Sequence, residues 1–592
     1  MATEKTLNEQ LQTIDVLWNL KDLYTSPEDI SVSDDIDWCT REGKAITRDY
    51  KGQIADQSAD QLGVLVSRLE TLEARLGKLL TFAFLNYTTR VDDAPSGAFY
   101  QKIQELVSQV EKDLVFFELE WNLLPAEHVE PLLTEKVIEG YRHYLTSMRR
   151  YLPHQLSEAE EKLLIERKIV ERKSWNTLFD KIFGHLRFGE KARTEEEVLT
   201  DLYNSDRKVR QQAALEMTEG LKSQNHILTH IFNTLAAEKM ITDRQRNHTS
   251  WVSSMNLNNQ LQDNTVETLI SAVTDRYDIV QRFYRVKRDL LGLDTLYDYD
   301  RYAPLPALPD KLIDWEECKK MVITSFADFS PQMSEIASRF FDNKYIHAPV
   351  FPGKRGGAFA HPCVPEVHPY VMVNYTGSLR DVSTVAHELG HGVHQVLASE
   401  NGYFYSDTPL VLAETASVFA ELLVFRSQLE LLDNAEERRA FICQKLESIF
   451  ATVFRQTAMN RFEKAMHEGR REKGELSSDQ LSEFWLETQG KMFGNSVTLS
   501  ENYGLWWSYI PHFLSTPGYV YSYAFGELLV LALYGIYERE GSSFIDKYFT
   551  LLRAGGSDTP YNLLKPFEID LNNTMFWDQG LDVIDTMLKE VE

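Results

Sequence analysis

Two histidines and a glutamate stand in the pattern His-Glu-x-x-His, as His387, Glu388 and His391, within a segment whose apolar spacing predicts a helix. Helical residues four apart lie one turn apart on the same face, so both imidazoles can reach one metal ion. Glu388 points about 100° away from His387, where it can contact a water molecule held by the metal. This spacing is typical of zinc sites that hydrolyse peptide bonds.

A third metal ligand is expected from Glu414, in the segment Glu414-Thr-Ala-Ser417. Two imidazoles and one carboxylate fill three tetrahedral positions of a zinc ion and leave the fourth position for water. The neighbours of Glu414 are apolar, so a buried carboxylate there needs a strong partner such as a divalent cation. The alternative is a surface glutamate that the helix dipole stabilises near a helix start. We expect one zinc ion per chain.

Three further residues have the spacing of groups that support metal ligands. Ser417 and Glu421 follow Glu414 by about one and two helical turns on the same face, where they can orient a ligand. For Glu421 a solvated side chain is an equal alternative. His394 lies one turn beyond His391, and we interpret it as a packed or supporting residue rather than a ligand.

The ligands and Glu388 together predict metal-assisted hydrolysis, with Glu388 taking a proton from water and passing it to the leaving amine. The developing oxyanion needs a further hydrogen-bond donor. The candidates lie in a later segment that contains Gly and Pro, at His512, Tyr519, Tyr521 and Tyr523. An aromatic core patch is the alternative for these tyrosines, since alternating tyrosines also fit a strand.

Composition limits the class of protein. With 62 Lys and Arg against 89 Asp and Glu, the net charge of −27 argues against nucleic acid or an anionic membrane as the main partner. The four cysteines are scattered, which predicts free thiols and fits a cytoplasmic protein. We expect neither a secretory signal nor a membrane span, because no suitable apolar run is present.

Helical spacing dominates the chain. Leucines recur at threes and fours in one long stripe, at Leu62, Leu65, Leu69, Leu72, Leu76 and Leu79. The β-type run from Tyr370 to Tyr375 leads directly into the helix of the histidine motif. These patterns predict a mainly α fold with one small sheet beside that helix.

The motifs resemble the oligoendopeptidase F family, whose relatives include thimet oligopeptidase and neurolysin. The resemblance covers most of the chain from about residue 150 onward. It is carried by His387-Glu-Leu-Gly-His391-Gly-Val-His394, Glu414-Thr-Ala-Ser417, His512 with Tyr519 to Tyr523, Gly356-Gly-Ala-Phe359, His368 to Gly377, and Tyr299-Asp-Arg-Tyr-Ala-Pro304.

The resemblance implies a large, clam-like helical zincin with a deep channel and zinc on its floor, which admits only short, unstructured peptides. In the family pattern His387, His391 and Glu414 match the zinc ligands, and Glu388 matches the general base. Residues that bind substrate and stabilise the transition state are matched by His512, Tyr519 and Tyr523. Their spacing differs from that of the animal relatives, so the choice among the tyrosines stays open.

The resemblance also implies where the peptide lies. Gly357, Val373, Asn374 and Tyr521 are expected to contact substrate, and the strand ending near Asn374 is expected to be the edge that pairs with the peptide backbone. We expect residues 1–200 to form part of the channel wall and residues 201–592 to form the catalytic region.

The expected function is that of a cytoplasmic zinc oligoendopeptidase that acts on short peptides, with neither nucleic acid nor membrane as partner. A helical zinc carboxypeptidase is an alternative, since such enzymes also use His-Glu-x-x-His. A catalytically silent peptide-binding protein is a second alternative, against which the complete set of ligands and base argues.

Overall fold

The computed structural model describes residues 6–168, 170–305 and 312–592 of the 592-residue chain. The described residues form 26 α-helices and three short β-strands. The helices before residue 305 are α1 Leu7–Gln10, α2 Ile30–Tyr50, α3 Ala59–Thr88, α4 Ala94–Leu123, α5 Ala126–Thr134, α6 Arg142–Met148, α7 Glu158–Arg167, α8 Arg172–His185, α9 Glu195–Asp201, α10 Arg207–Gln245, α11 Ser253–Asn258, α12 Asp263–Asp275 and α13 Tyr277–Leu290.

The elements after residue 312 include the sheet and the helix of the histidine motif. The strands are β1 Ile346–His347, β2 Phe359–His361 and β3 Tyr370–Met372. The helices are α14 Trp315–Phe329, α15 Pro331–Asp342, α16 Leu379–Ala398, α17 Tyr403–Ser406, α18 Leu410–Glu430, α19 Ala435–Thr452, α20 Phe454–Lys473, α21 Ser478–Phe493, α22 His512–Ser515, α23 Tyr521–Glu540, α24 Ser542–Ala554, α25 Pro560–Leu564 and α26 Thr574–Lys589. The predicted mainly α fold with one small sheet is confirmed.

The chain divides into two compact units. The first is drawn from Met1–Ile165, Asp310–Glu430 and Tyr537–Glu568, and the second from Glu166–Pro309, Leu431–Ile536 and Ile569–Glu592. The sheet, α16 and α18 belong to the first unit, and the segment from residue 512 to 523 belongs to the second. The sequence-based division between residues 200 and 201 stays a prediction.

The predicted leucine stripe lies in helix α3 and forms part of the core of the first unit. All six leucines are buried, at 5% exposure or less. Ser58 caps the helix by accepting a hydrogen bond from the backbone N–H of Gln61. In the second unit the core is rich in aromatic rings, which include Trp485, Tyr503, Trp506, Trp507 and Phe513.

The three strands are ordered β1-β3-β2, so β3 is central. β1 pairs with β3 in parallel through Ile346 and Val371, and β2 pairs with β3 in an antiparallel arrangement through Ala360 and Val371. The prediction that the strand ending near Asn374 is the edge of the sheet is wrong, because β3 has a neighbour on each side. β2 is an edge strand instead.

All four cysteines are buried and free, as the sequence predicted. Among the described residues, no helix combines the length and the apolar character that crossing a lipid bilayer requires.

Candidate active site

Helix α16 carries the histidine motif, and its first turn is fixed before the motif begins. The hydroxyl of Ser378 accepts a hydrogen bond from the backbone N–H of Asp381 at 3.1 Å, and the Asp381 carboxylate accepts one from the backbone N–H of Ser378 at 3.0 Å. This capping box satisfies N–H groups that a helix start leaves unpaired. The apolar face of the helix is buried through Val382, Val385, Leu389 and Val393. The motif is therefore held in one orientation.

The ligand atoms of His387, His391 and Glu414 converge in the first unit. Nε2 of each histidine lies 3.4 Å from the same Glu414 oxygen, and the three ligand atoms lie within 4.8 Å of one another. Ligand atoms about 2.0–2.1 Å from a tetrahedral zinc ion stand about 3.4 Å apart. Two imidazole nitrogens and one carboxylate oxygen at these separations therefore fit a single cation the size of zinc.

Glu414 reaches the two histidines because α18 packs very closely against α16. A Cβ atom on Gly390 would lie only 2.5 Å from the carbonyl oxygen of Ala416, so only glycine permits this approach. The hydroxyl of Tyr548 donates to the carbonyl oxygen of Thr415 at 3.0 Å, which fixes the backbone beside Glu414. Close packing between α16 and α18 therefore explains why Gly390 stands within the histidine motif.

Two side chains predicted to support the ligands contact them. Ser417 donates its hydroxyl proton to Oε2 of Glu414 at 2.7 Å, and a Glu421 oxygen lies 3.4 Å from Nδ1 of His387. Burial alone would raise the pKa of Glu414, but hydrogen bonds with His387 and His391 hold that pKa well below its usual range. The cluster therefore favours positive charge at its centre.

His394 lies outside the cluster of ligand atoms. Its buried ring hydrogen-bonds with the backbone of Ala413, and Nε2 lies 3.4 Å from the hydroxyl of Thr408. Burial, together with the charge of His391, lowers the pKa of His394 to about 4. The neutral ring therefore links α16 to the residue before Glu414, in keeping with the predicted packed role.

The carboxyl group of Glu388 is held by the edge strand β2. The Glu388 residue is only 6% exposed, and its carboxylate accepts a hydrogen bond from the backbone N–H of Ala360. Burial raises the pKa of Glu388, although the charges of His387 and His391 oppose this shift. The Ala360 carbonyl accepts a hydrogen bond from Gln395 at 3.4 Å. Sequence reasoning missed Gln395, whose place two helical turns after Glu388 was the available signal.

Three residues predicted to contact substrate lie together beside the sheet. Asn374 donates from Nδ2 to the carbonyl oxygen of Gly357 at 2.8 Å, and the carbonyl oxygen of Val373 accepts from the Lys354 ammonium at 2.6 Å. Gly357 has a φ of +79°, which favours glycine. Burial lowers the pKa of Lys354 to about 7. Lys354, which sequence reasoning also missed, ties the glycine-rich loop to the sheet.

His512, Tyr519 and Tyr523 lie together in the second unit. The Tyr523 hydroxyl lies 3.5 Å from Nε2 of His512, and the ring centroids of Tyr519 and Tyr523 are 4.9 Å apart. Tyr521, by contrast, is fully buried, and its hydroxyl accepts a hydrogen bond from Asn259 at 2.8 Å. This burial contradicts the predicted contact between Tyr521 and substrate. Two residues apart on α23 means about 200° of rotation, so Tyr521 and Tyr523 face in different directions.

The turn that precedes Tyr519 is anchored to helix α20. Gly518, with a φ of +81°, donates its backbone N–H to a carboxylate oxygen of buried Glu463 at 2.7 Å. A Cβ atom on Gly518 would lie 3.2 Å from the Val252 side chain, which leaves little room for a larger residue. No local sequence signal pointed to Glu463, because it lies 55 residues before the glycine that it binds.

Comparison with known proteins shows which family the chain belongs to. A sequence profile described as Peptidase family M3 matches residues 201–583, and one described as Oligopeptidase F matches residues 120–188. The chain belongs to peptidase family M3. This M3 chain is 27% identical to oligopeptidase PepF of Bacillus subtilis (strain 168), over 100% of this chain and 90% of the relative. It is also 27% identical to group B oligopeptidase PepB of Streptococcus agalactiae, over 92% of this chain and 91% of that protein.

Solved structures share the fold of this M3 chain. The crystal structure of oligoendopeptidase-F from Enterococcus faecium superposes with a TM-score of 0.72 at 21% identity, over 95% of this chain and 97% of that chain. The predicted family resemblance is confirmed. As a member of family M3 the chain is a metallo-oligopeptidase, and peptides are its substrates.

Proposed function

We propose that this M3 peptidase is a zinc-dependent endopeptidase that hydrolyses internal bonds of short, unstructured peptides, with Glu388 as general base. The proposal rests on the meeting of one Glu414 oxygen with Nε2 of His387 and of His391 at 3.4 Å each, the separation that tetrahedral zinc requires. The relatives named oligopeptidase PepF and oligoendopeptidase-F support short peptides and internal cleavage.

Zinc, when bound, supplies a Lewis acid that polarises a water molecule and the scissile carbonyl group. Glu388 accepts a proton from the attacking water and delivers it to the leaving amine. The burial that raises the pKa of Glu388 suits its carboxyl group to gaining and losing a proton during turnover. The N–H of Ala360 keeps that carboxyl group in place.

The oxyanion that forms during attack needs hydrogen-bond donors from the protein. We assign this role to Tyr523 and His512, and we assign substrate contact to Tyr519, Gly357 and Asn374. The strand order excludes β3 as the edge that pairs with the peptide backbone.

The experiment that tests this proposal is a cleavage assay on an internally quenched ten-residue peptide, with mass spectrometry of the products. We expect internal cuts, loss of activity after chelation, and recovery when zinc is restored. Release of only the C-terminal residue would indicate the carboxypeptidase alternative. Binding of the peptide without cleavage by the zinc-loaded protein would contradict the proposal and indicate a silent peptide-binding protein. The cytoplasmic location and the absence of a nucleic-acid partner stay predictions.

A further inference from the structure

Two arginine side chains in the second unit share a small cavity whose lining includes none of the groups assigned to catalysis. Arg301, from the segment Tyr299-Asp-Arg-Tyr-Ala-Pro304, and Arg455, from the start of α20, line a cavity of about 110 Å³. Among the described residues, no carboxylate oxygen lies within 4.0 Å of either guanidinium group. Two positive charges therefore face one cavity without an ion-pair partner.

The hydrogen bonds of the Arg301 side chain go to neutral groups, and the charge of the buried Asp298 carboxylate acts on it from beyond ion-pair distance. The residue is 6% exposed, its Nε donates to the Asp298 carbonyl oxygen at 2.9 Å, and its Nη2 donates to the hydroxyls of Tyr302 at 3.2 Å and Tyr503 at 3.3 Å. The guanidinium also lies 5.0 Å from the ring centroid of Phe493. Hydrogen bonds and aromatic faces of this kind lower the free-energy cost of burying a charge, but they do not neutralise the charge.

Arg455 adds a second charge with an unused donor. Its Nη2 donates to the hydroxyl of Tyr509 at 3.3 Å, while its buried Nε has no hydrogen-bond acceptor. A buried donor without an acceptor is costly. Burial alone would raise the pKa of Tyr302, but the charges of Arg301 and Arg455 lower that pKa below its usual value. The surroundings of the cavity therefore favour a negative charge.

The remaining wall of the cavity shows what kind of anion would fit. Glu447 lines it, but this carboxylate forms an ion pair with buried Lys287, so the pair is neutral as a whole. Most other lining residues are aromatic or aliphatic, namely Tyr203, Val280, Tyr284, Phe450, Met492 and Phe493. Such walls offer few hydrogen-bond donors, so an oxyanion with several oxygens would be poorly satisfied.

We propose that the cavity between Arg301 and Arg455 binds a small inorganic monovalent anion of the chloride class. Chloride needs few hydrogen bonds and pairs well with the weakly hydrated guanidinium group. The anion would accept the unused Nε–H of Arg455 and add a second negative charge beside that of Asp298, opposite the two arginines. This inference does not depend on the proposed peptidase mechanism.

Arg455 connects this site to one of the candidate active-site residues. Arg455 also lines a neighbouring cavity of about 490 Å³, together with His512. Burial, followed by the charge of Arg455, lowers the pKa of His512. An anion bound to Arg455 would offset that charge, so the pKa of His512 is expected to be higher in chloride than without it.

Thermal unfolding in different sodium salts at one ionic strength tests the proposal. Chloride and bromide are expected to raise the Tm saturably, by about 2–5 °C relative to gluconate, because an anion that binds only the folded state stabilises it. Equal ionic strength is needed because the net charge of −27 gives a general salt effect. Arg455→Gln is expected to lose the difference between chloride and gluconate, because it removes one of the two charges and the unused Nε–H. Arg461→Gln is the matched control, because Arg461 lies on the same helix but pairs with Glu267. This variant is expected to keep the difference in Tm between chloride and gluconate.

Crystals of the wild-type protein grown in bromide give a second measurement that does not need a variant to fold. The expected result is an anomalous bromide peak in the cavity between Arg301 and Arg455. Equal Tm values in chloride and gluconate, together with no bromide peak, would overturn the proposal. So would a saturable response to acetate without one to chloride, which would reassign the cavity to carboxylates.

Discussion

Nδ1 of His387 lies 3.4 Å from a Glu421 oxygen, on the opposite side of the ring from the nitrogen that faces Glu414. A carboxylate in this place accepts the proton of Nδ1 and leaves the lone pair of Nε2 free for a metal ion. The sequence left Glu421 equally divided between this role and a solvated side chain. Its contact with His387 favours the role in orienting the ligand.

Replacement of Glu421 by glutamine is expected to weaken zinc binding about 10- to 100-fold, because the amide is a poorer acceptor for Nδ1–H of His387. Competition with a fluorescent chelator measures the change. Glu430→Gln, at the exposed end of the same helix, is the matched control and should bind zinc like the wild type. Unchanged zinc affinity in Glu421→Gln would mean that the contact does not orient the ligand.

Replacement of Gly390 by alanine is expected to separate α16 from α18. The added Cβ atom would lie 2.5 Å from the carbonyl oxygen of Ala416, and overpacking of this kind costs roughly 1–3 kcal/mol of the free energy of unfolding. Because Glu414 moves with α18, zinc affinity should fall together with stability. Gly490→Ala, on α21, is the control, since its added Cβ atom would meet no atom within 4 Å. Urea unfolding and chelator competition check both effects.

The two buried or half-buried tyrosines at the start of α23 are expected to respond differently to removal of the hydroxyl. Tyr523→Phe should lower kcat about 10²- to 10³-fold if its hydroxyl stabilises the oxyanion. Tyr521→Phe should keep kcat within a few-fold and lose roughly 1–3 kcal/mol of stability, because Asn259 loses an acceptor. Steady-state kinetics and urea unfolding of both variants separate the roles, and a larger loss of kcat in Tyr521→Phe would reverse the assignment.

Glu463 is expected to make stability depend on pH. Burial raises its pKa from 4.5 to about 8, although the charges of Lys239 and Arg172 oppose this. Between pH 4.5 and about pH 8 the folded state holds a proton on Glu463 that the unfolded state has lost. The free energy of unfolding therefore falls as the pH rises through this window. The loss is on the order of a few kcal/mol, after which ionised Glu463 remains buried, with His467 3.7 Å away.

The variant Glu463→Gln should lose this pH dependence, since an amide does not titrate. It should be more stable than the wild type at the alkaline end of the window while still accepting the N–H of Gly518. Urea unfolding across the window checks this, with Glu472→Gln on the exposed side of α20 as the control. A wild-type stability that rises with pH across the window would show that the sign is wrong.

The sequence was sufficient for features that depend on local spacing. The i and i+4 spacing of His387 and His391 already predicted one metal-binding face, and the leucine stripe predicted helix α3. Both follow from helix geometry alone. The contact of Glu414 with the two histidines needed more, because it depends on close packing at Gly390.

Features that depend on distant parts of the chain were beyond local patterns. The run from Tyr370 to Tyr375 indicated a strand, but its residues do not show which strands pair with it. The prediction therefore placed β3 at the edge of the sheet, although it is the central strand. Tyr521 and Tyr523 are both tyrosines and lie two residues apart, so the sequence does not distinguish their roles. The contact of Tyr521 with Asn259, which is distant in sequence, distinguishes them. The contact of Glu388 with Ala360 uses a backbone N–H, which carries no side-chain signal.

The most direct test of the account is the variant Glu388→Gln, with zinc content and peptide turnover measured on the same sample. Because Glu388 supplies the base and not a ligand, the account predicts about one zinc ion per chain and a loss of turnover of at least about 10²-fold. Turnover at the wild-type rate by the zinc-loaded variant would contradict the account.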